Sequence, residues 1–220
     1  MLDSSAPNLP PHLVDEITAG NCVAFVGAGF SALSVPPWKE LIRRIAEDDA
    51  LDPEPSGAVH ALLDEDKPNS LEAAAQILQD AMGEGAFVRS LKAQIDAAIV
   101  GANQQRRVDL LRGIPFRAVL TTNFDGLLEG SLPGEDVYQA MLRPKGHRWR
   151  NERHWQENQA GPQVAKLHGD VGRDDPVDVV FSRRDYRRRL YSNAGYMTFL
   201  RSIFATSTVL FLGVSFTDAY

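Results

Sequence analysis

Residues 21–31, NCVAFVGAGFS, join an apolar run to a glycine turn, and the fold follows from how that junction is read. The run CVAFV (Cys22–Val26) is built of β-formers, too short for a helix and too apolar throughout for a strand with one wet face. It reads as a strand buried on both sides, which places it in a parallel α/β sheet. Gly27 and Gly29 carry no Cβ, so the chain can turn sharply there and a pyrophosphate can approach the backbone. A helix beginning near Ser31 would aim its free N–H groups and the positive end of its dipole at that anion. A tight strand-to-helix turn with no ligand uses the same two glycines, and the pair alone leaves both readings open.

Composition narrows the class. With 220 residues, 44% of them hydrophobic, the chain can bury a full core as one α/β domain (1–220) carrying a helical insertion at about 50–113. A formal charge of −6 argues against a protein that coats nucleic acid through bulk charge. No apolar run is long enough to span a bilayer, and the opening MLDSSAPNLPPHLVDE lacks the basic and apolar regions of a secretion signal, so a cytoplasmic protein is expected. The single cysteine, Cys22, lies in the apolar strand as a small hydrophobe, which excludes an internal disulfide and a four-cysteine zinc site.

Periodicity then sketches the remaining elements. Helices are predicted over 12–19, over 38–47 with Trp38, Leu41, Ile42 and Ile45 on one face, over 70–82 and 87–100 around the breaker Gly83-Glu84-Gly85, and over 104–111. Residues 48–67, rich in Pro, Asp and Glu, read as a solvated connection with at most a short helix. Strands are predicted at 117–121, 137–142, 164–167 and 208–216, a short helix around Leu127 and Leu128, and helices over 183–190 and 196–204. Residues 143–159 are basic and aromatic without a period and read as an exposed loop or hairpin; with 183–189 they form solvated faces or meet a partner subunit or nucleic acid. His147, His154 and Trp155 show no metal-ligand spacing, and no metal is expected. Several strands end in turns of Gly, Asn, His or Ser, at the carboxyl edge where open α/β sheets bind ligands.

Residues 27–32 also fit the G-x-G-x-x-A fingerprint of nicotinamide-dependent dehydrogenases. That reading requires a second strand ending in Asp or Glu about 20 residues on. The acidic residues at that distance, Glu47 to Asp49, instead close the helix that begins near Trp38.

Four motifs taken together, GAGFS (27–31), TTNFD (121–125), KLHGD (166–170) and LFLGVSF (210–216), resemble the sirtuin-like family in order and spacing, in the branch of bacterial antiphage-defence NAD hydrolases. The resemblance implies a Rossmann-like, mostly parallel sheet with helices on both faces. It implies that Asn123 and His168 are catalytic and that Asp125 contacts the nicotinamide carboxamide. The NAD-binding set it implies is Gly27, Ala28, Gly29, Phe30, Ser31, Trp38, Thr122, Asp125, Gly213, Ser215 and Asp218. Sirtuin deacylases carry a zinc ribbon of four cysteines, which this chain cannot build, and Pro36-Pro37-Trp38 looks like the defence branch. Family members continue past the last motif, so a longer protein is expected, controlled by oligomerisation or by a sensor subunit such as a short Argonaute with its guide nucleic acid.

The residues suit that chemistry. Cleaving NAD expels neutral nicotinamide, so the site must stabilise a cationic ribose and supply an oxygen nucleophile. His168 can take a proton from a ribose hydroxyl or water, and Asn123 can hold that oxygen without adding charge. The competing reading makes Asn123 or Asp125 an N-cap of a helix at 124–129 and His168 a turn residue. NAD hydrolysis to nicotinamide and ADP-ribose, linear or cyclic, as the toxic effector of a defence system is the preferred function; the alternatives are a protein deacylase and a non-catalytic NAD or ADP-ribose sensor.

Overall fold

The CVAFV run forms strand β1 (Cys22–Val26) of a five-stranded sheet. The computed structural model describes residues 9–48, 51–65, 67, 69–128, 146–148, 164–172, 176–192 and 194–215. The other strands are β2 (Ala118–Thr121), β3 (Gly146–Arg148), β4 (Val164–Lys166) and β5 (Thr208–Leu212), ordered in space β3-β4-β2-β1-β5. Every pairing is parallel, and Val26 lies beside Thr121 on one side and Leu212 on the other. The strand order reverses at β1, because β2 follows on one flank and β5 returns on the other. A crevice therefore opens at the carboxyl end of β1.

Alternation along β1 sorts its side chains between two cores. Cys22, Ala24 and Val26 pack with Leu111 of α6 (Ala102–Arg112), Phe116 and, at the margin, Leu13 and Ile17 of α1 (Pro11–Thr18). Val23 and Phe25 face Tyr196 and Ile203 of α8 (Ala194–Thr206). Both faces are covered, as the unbroken apolar run requires, and burial raises the Cys22 thiol above its ordinary pKa. A third core lies within α2 (Trp38–Ala46), α3 (Pro53–Glu65), α4 (Ser70–Met82) and α5 (Glu84–Asp96), and it reaches Val179 and Phe181 just before α7 (Arg183–Ser192).

Several expectations are corrected. The acidic, proline-rich stretch 48–67 holds a thirteen-residue helix, α3, because Val59 and Leu63 lie one turn apart and both are buried, while Pro53 and Pro55 fall in the first turn where no intrahelical donor is lost. Gly83 alone, with φ at +81°, separates α4 from α5; Gly85 continues the helix, which ends at Asp96. No helix starts at Ser31: Ala28–Phe30 is a single 3-10 turn, and the next helix begins at Trp38. Residues 125–128 form a bend and a turn, with the Asp125 carboxylate accepting from the Leu127 N–H at 3.1 Å. Within the basic stretch 143–159, residues 146–148 form a strand parallel to β4, and the rest of the stretch lies outside the described residues. The expected strand at 137–142 lies outside the described residues.

Candidate active site

The floor of the crevice is two turns locked backbone to backbone. Gly27 N–H donates to the Leu212 carbonyl and Gly29 N–H to the Gly213 carbonyl, each at 2.9 Å. A Cβ on Gly27 would stand 2.7 Å from the Gly213 oxygen, and one on Gly213 would stand 2.3 Å from the Phe30 nitrogen. The glycines are required by this interlock. The N–H groups of Phe30 and Ser31 also bond within the turn, at 3.0 and 3.1 Å, so the expected row of free donors at a helix start is absent among these residues.

Ser31 closes that turn, 2% exposed, and gathers the polar groups of the next strand end. The Asn123 side-chain amide donates to Ser31 Oγ at 3.1 Å and to the Gly27 carbonyl at 3.2 Å, while its backbone N–H donates to Thr121 Oγ1 at 3.0 Å. The Thr121 hydroxyl in turn donates to the Val26 carbonyl at 2.9 Å, so β1 and β2 jointly fix the Asn123 backbone. With the amide nitrogen fully engaged, Asn123 Oδ1 is left buried and without a hydrogen-bond partner among the described residues. An orphaned buried acceptor of this kind suits a donor hydroxyl or water. Asp125 is 5% exposed and bonded to Ser31; burial pushes its carboxyl pKa up, against the pull of the Lys166 ammonium and the Ser31 hydroxyl.

His168 follows β4, and the turn needs Gly169 at φ +85°. Its Nε2 lies 3.1 Å from Tyr186 Oη on α7, with the two rings edge to face at 5.1 Å and 87°. Its carbonyl accepts from the Val180 N–H at 2.9 Å. Burial, and then the Arg189 guanidinium, push the imidazole pKa down to about 3, so the ring is neutral at physiological pH. Beside it stands an aromatic wall: Phe124 stacks on Phe181 at 4.0 Å, and Phe181 on Trp38 at 4.4 Å. Helix α7 is itself clamped to the insertion. Asp185, 1% exposed, accepts from Gln79 Nε2 at 2.9 Å and from the Phe181 and Ser182 N–H groups at 3.1 and 3.0 Å.

These groups share one cavity of about 380 Å³, within the usual range for small-molecule sites. Of the residues expected from sequence, Ala28, Ser31, Trp38, Thr122, Asn123, Asp125, His168 and Ser215 line it. Gly27, Gly29 and Gly213 form the interlock beneath, and Phe30 packs into the core on the Cys22 face. Asp218 lies outside the described residues. The cap reading of Asn123 is not met, since its side chain points back to Gly27 and Ser31; Asp125 does cap its own turn while lining the cavity. Sequence reasoning missed Tyr186, Phe181 and Lys166. The first two sit in stretches whose local pattern says only helix and buried loop; a lysine inside the apolar run VAKL was a visible signal. Among the described residues no cluster of His, Cys, Asp or Glu is arranged to hold a metal, and no helix is long and apolar enough to cross a membrane.

The parallel sheet, the crevice at its switch point and the Asn, Asp and His groups on adjacent strand ends match the place where open α/β sheets bind ligands. Residues 117–220, from β2 through β5, match the family model described as SIR2-like domain. More than nine-tenths of the chain is similar to proteins named NAD(+) hydrolase ThsA. It is 27% identical to that of Acinetobacter baumannii (strain 532279) over 209 residues, 94% of this chain and 39% of the relative. The corresponding values are 28% over 211 residues for Enterococcus faecium (93% and 39%) and 25% over 209 residues for Bacillus cereus (strain MSX-D12) (92% and 39%). The chain thus spans about two fifths of the length of these relatives.

Proposed function

We propose that this chain cleaves the nicotinamide–ribose bond of NAD, with water as the acceptor. The observation that carries the reading is the convergence in one cavity of the buried, unsatisfied Asn123 Oδ1, the Asp125 carboxyl beside Ser31, and the neutral imidazole of His168. The similarity to NAD(+) hydrolases over more than nine-tenths of the chain supports the same conclusion.

NAD brings its own leaving group, since nicotinamide departs neutral without being protonated. The protein's task is then to hold the ring, shelter a developing cation and aim an oxygen at it. Asp125 accepts from the carboxamide of the nicotinamide, and its negative charge offsets the growing positive charge on the ribose. Asn123 Oδ1 accepts a hydrogen bond from the incoming water or a ribose hydroxyl and fixes its line of approach. His168 accepts the proton. A ring with a pKa near 3 is a weak base for free water, so transfer is late, once bond formation has acidified the attacking oxygen. General-base help of this kind contributes on the order of 10² to 10⁴ in rate.

The resemblance to defence-system hydrolases supports a further reading, in which NAD depletion in the cytoplasm is the biological output and a partner or a second copy of the chain controls it. Nicotinamide release from NAD by the full-length protein, with and without Asn123→Ala and His168→Ala, tests the assignment. Loss of at least a hundredfold in each variant is expected. Turnover that survives both substitutions refutes the assigned roles, and ligand-dependent thermal stabilisation with no turnover in the wild type converts the reading to a sensor.

A further inference from the structure

We propose that Lys166 is a positioning residue of this site: its ammonium bridges the loop that carries Asn123 to the loop that carries His168 and serves as the counter-charge of Asp125. The inference rests on the hydrolase reading above. Lys166 is the last residue of β4, 4% exposed, in register with Thr121 of β2 on one side and Arg148 of β3 on the other. An ammonium taken out of water costs several kcal/mol unless it is paired and hydrogen-bonded, so a lysine persists there only with partners. Its partners lie on the two loops. Nζ donates to the Phe124 carbonyl at 3.0 Å, the peptide oxygen between Asn123 and Asp125, and lies 3.6 Å from Asp170 Oδ2, two residues beyond His168.

The ladder explains why one side chain can serve both. Lys166 is in register with Thr121, and the Leu167 N–H donates to the Thr121 carbonyl at 2.8 Å, so the two loops leave the sheet from the same rung. Beyond that rung the backbones diverge, and the ammonium holds them at a fixed separation. The second consequence is electrostatic. Asp125 is buried, and the attraction of Lys166 keeps its carboxyl from rising further. The other charged or titratable groups around this loop are Asp170, which shares the same ammonium, His168, which is neutral at physiological pH, and Arg112 of α6, which donates to the carbonyls of Leu127 and Leu128 at 3.2 and 3.4 Å. Arg148 of β3 is also in register with Lys166, and among the described residues Lys166 is the cation whose attraction lowers the Asp125 carboxyl pKa.

The test is the pH dependence of nicotinamide release from NAD by the full-length protein. It compares the wild type with Lys166→Met, Lys166→Arg and the double variant Lys166→Met/Asp170→Asn, which removes the Asp170 charge as well should the single variant fail to fold. If the Asp125 carboxylate is the form that holds the carboxamide, kcat/KM falls as pH drops through its pKa. Removing the cation that lowers the Asp125 carboxyl pKa lets it rise, so the acid limb moves upward in the Met variants. Part of the lost activity then returns at higher pH, while Lys166→Arg keeps the limb near its wild-type place. A limb that stays put in an active Met variant, with activity reduced by one factor at every pH, overturns the role of Lys166 alone. A folded wild type inert toward NAD at every pH overturns the hydrolase reading and this inference with it.

Discussion

Substituting Gly213 by alanine separates the two constraints on the turn that closes the crevice floor. Gly213 sits at φ +63°, and holding a non-glycine residue in the left-handed region costs roughly 1–2 kcal/mol. The added methyl would also stand 2.3 Å from the Phe30 nitrogen and 2.8 Å from the Gly29 carbonyl carbon, both main-chain atoms that no rotamer change can relieve. Prising two packed backbones apart adds an overpacking cost of about 1–3 kcal/mol. The sum is about 2–5 kcal/mol. Gly20 is the control: its φ is +73°, but a Cβ there meets nothing within 4 Å, so Gly20→Ala carries only the conformational part. Urea unfolding at constant m measures both. Because the same turn seats Ser31, the partner of Asn123, nicotinamide release by Gly213→Ala falls even in the fraction that remains folded. A Gly213→Ala protein no less stable than Gly20→Ala would show that the interlock is not what demands glycine.

Two other outcomes follow from buried groups. Asp185→Ala strips the acceptor from Gln79 Nε2, from two backbone N–H groups and from Arg188, so it lowers stability by about 1–3 kcal/mol for each donor left buried without a partner, and calorimetric or denaturant unfolding registers the loss. The His168 ring titrates at an ordinary 6.5 when unfolded and at about 3 when folded, so between those values the unfolded chain binds more protons. Stability from this residue is complete above pH 6.5 and declines as the pH falls toward 3. His168→Gln flattens the stability curve across that window, and an unchanged slope would refute the burial argument.

What could be read from the sequence was whatever announces itself locally. The uninterrupted apolar runs at Cys22–Val26 and Ala118–Thr121 carry the requirement for two covered faces in their own composition, and the parallel sheet followed. Asn123, Asp125 and His168 stood out through the four-motif resemblance; the turns after these strands, taken alone, equally suited caps and backbone-bonded turn residues. Helix α3 was hidden because its buried stripe is only Val59 and Leu63, diluted among prolines and acids that also suit a loop. Of the two readings of the glycine pair, the tight turn is the one that forms, because N–H groups of the turn are taken by the carbonyls of Leu212 and Gly213 and by the turn itself. Tyr186 and Phe181 join the site only through the packing of α7 against the insertion, which no window of the chain contains.

The interlock of the two glycine turns also sets an order of events during synthesis. The carbonyls that receive the Gly27 and Gly29 N–H groups belong to Leu212 and Gly213, which follow α8 in the chain. A ribosome that has delivered β1, the helices and even β4 therefore holds strands without a finished floor. Nascent chains, and chains clipped before β5, carry Asn123 and His168 on a cradle that has not closed.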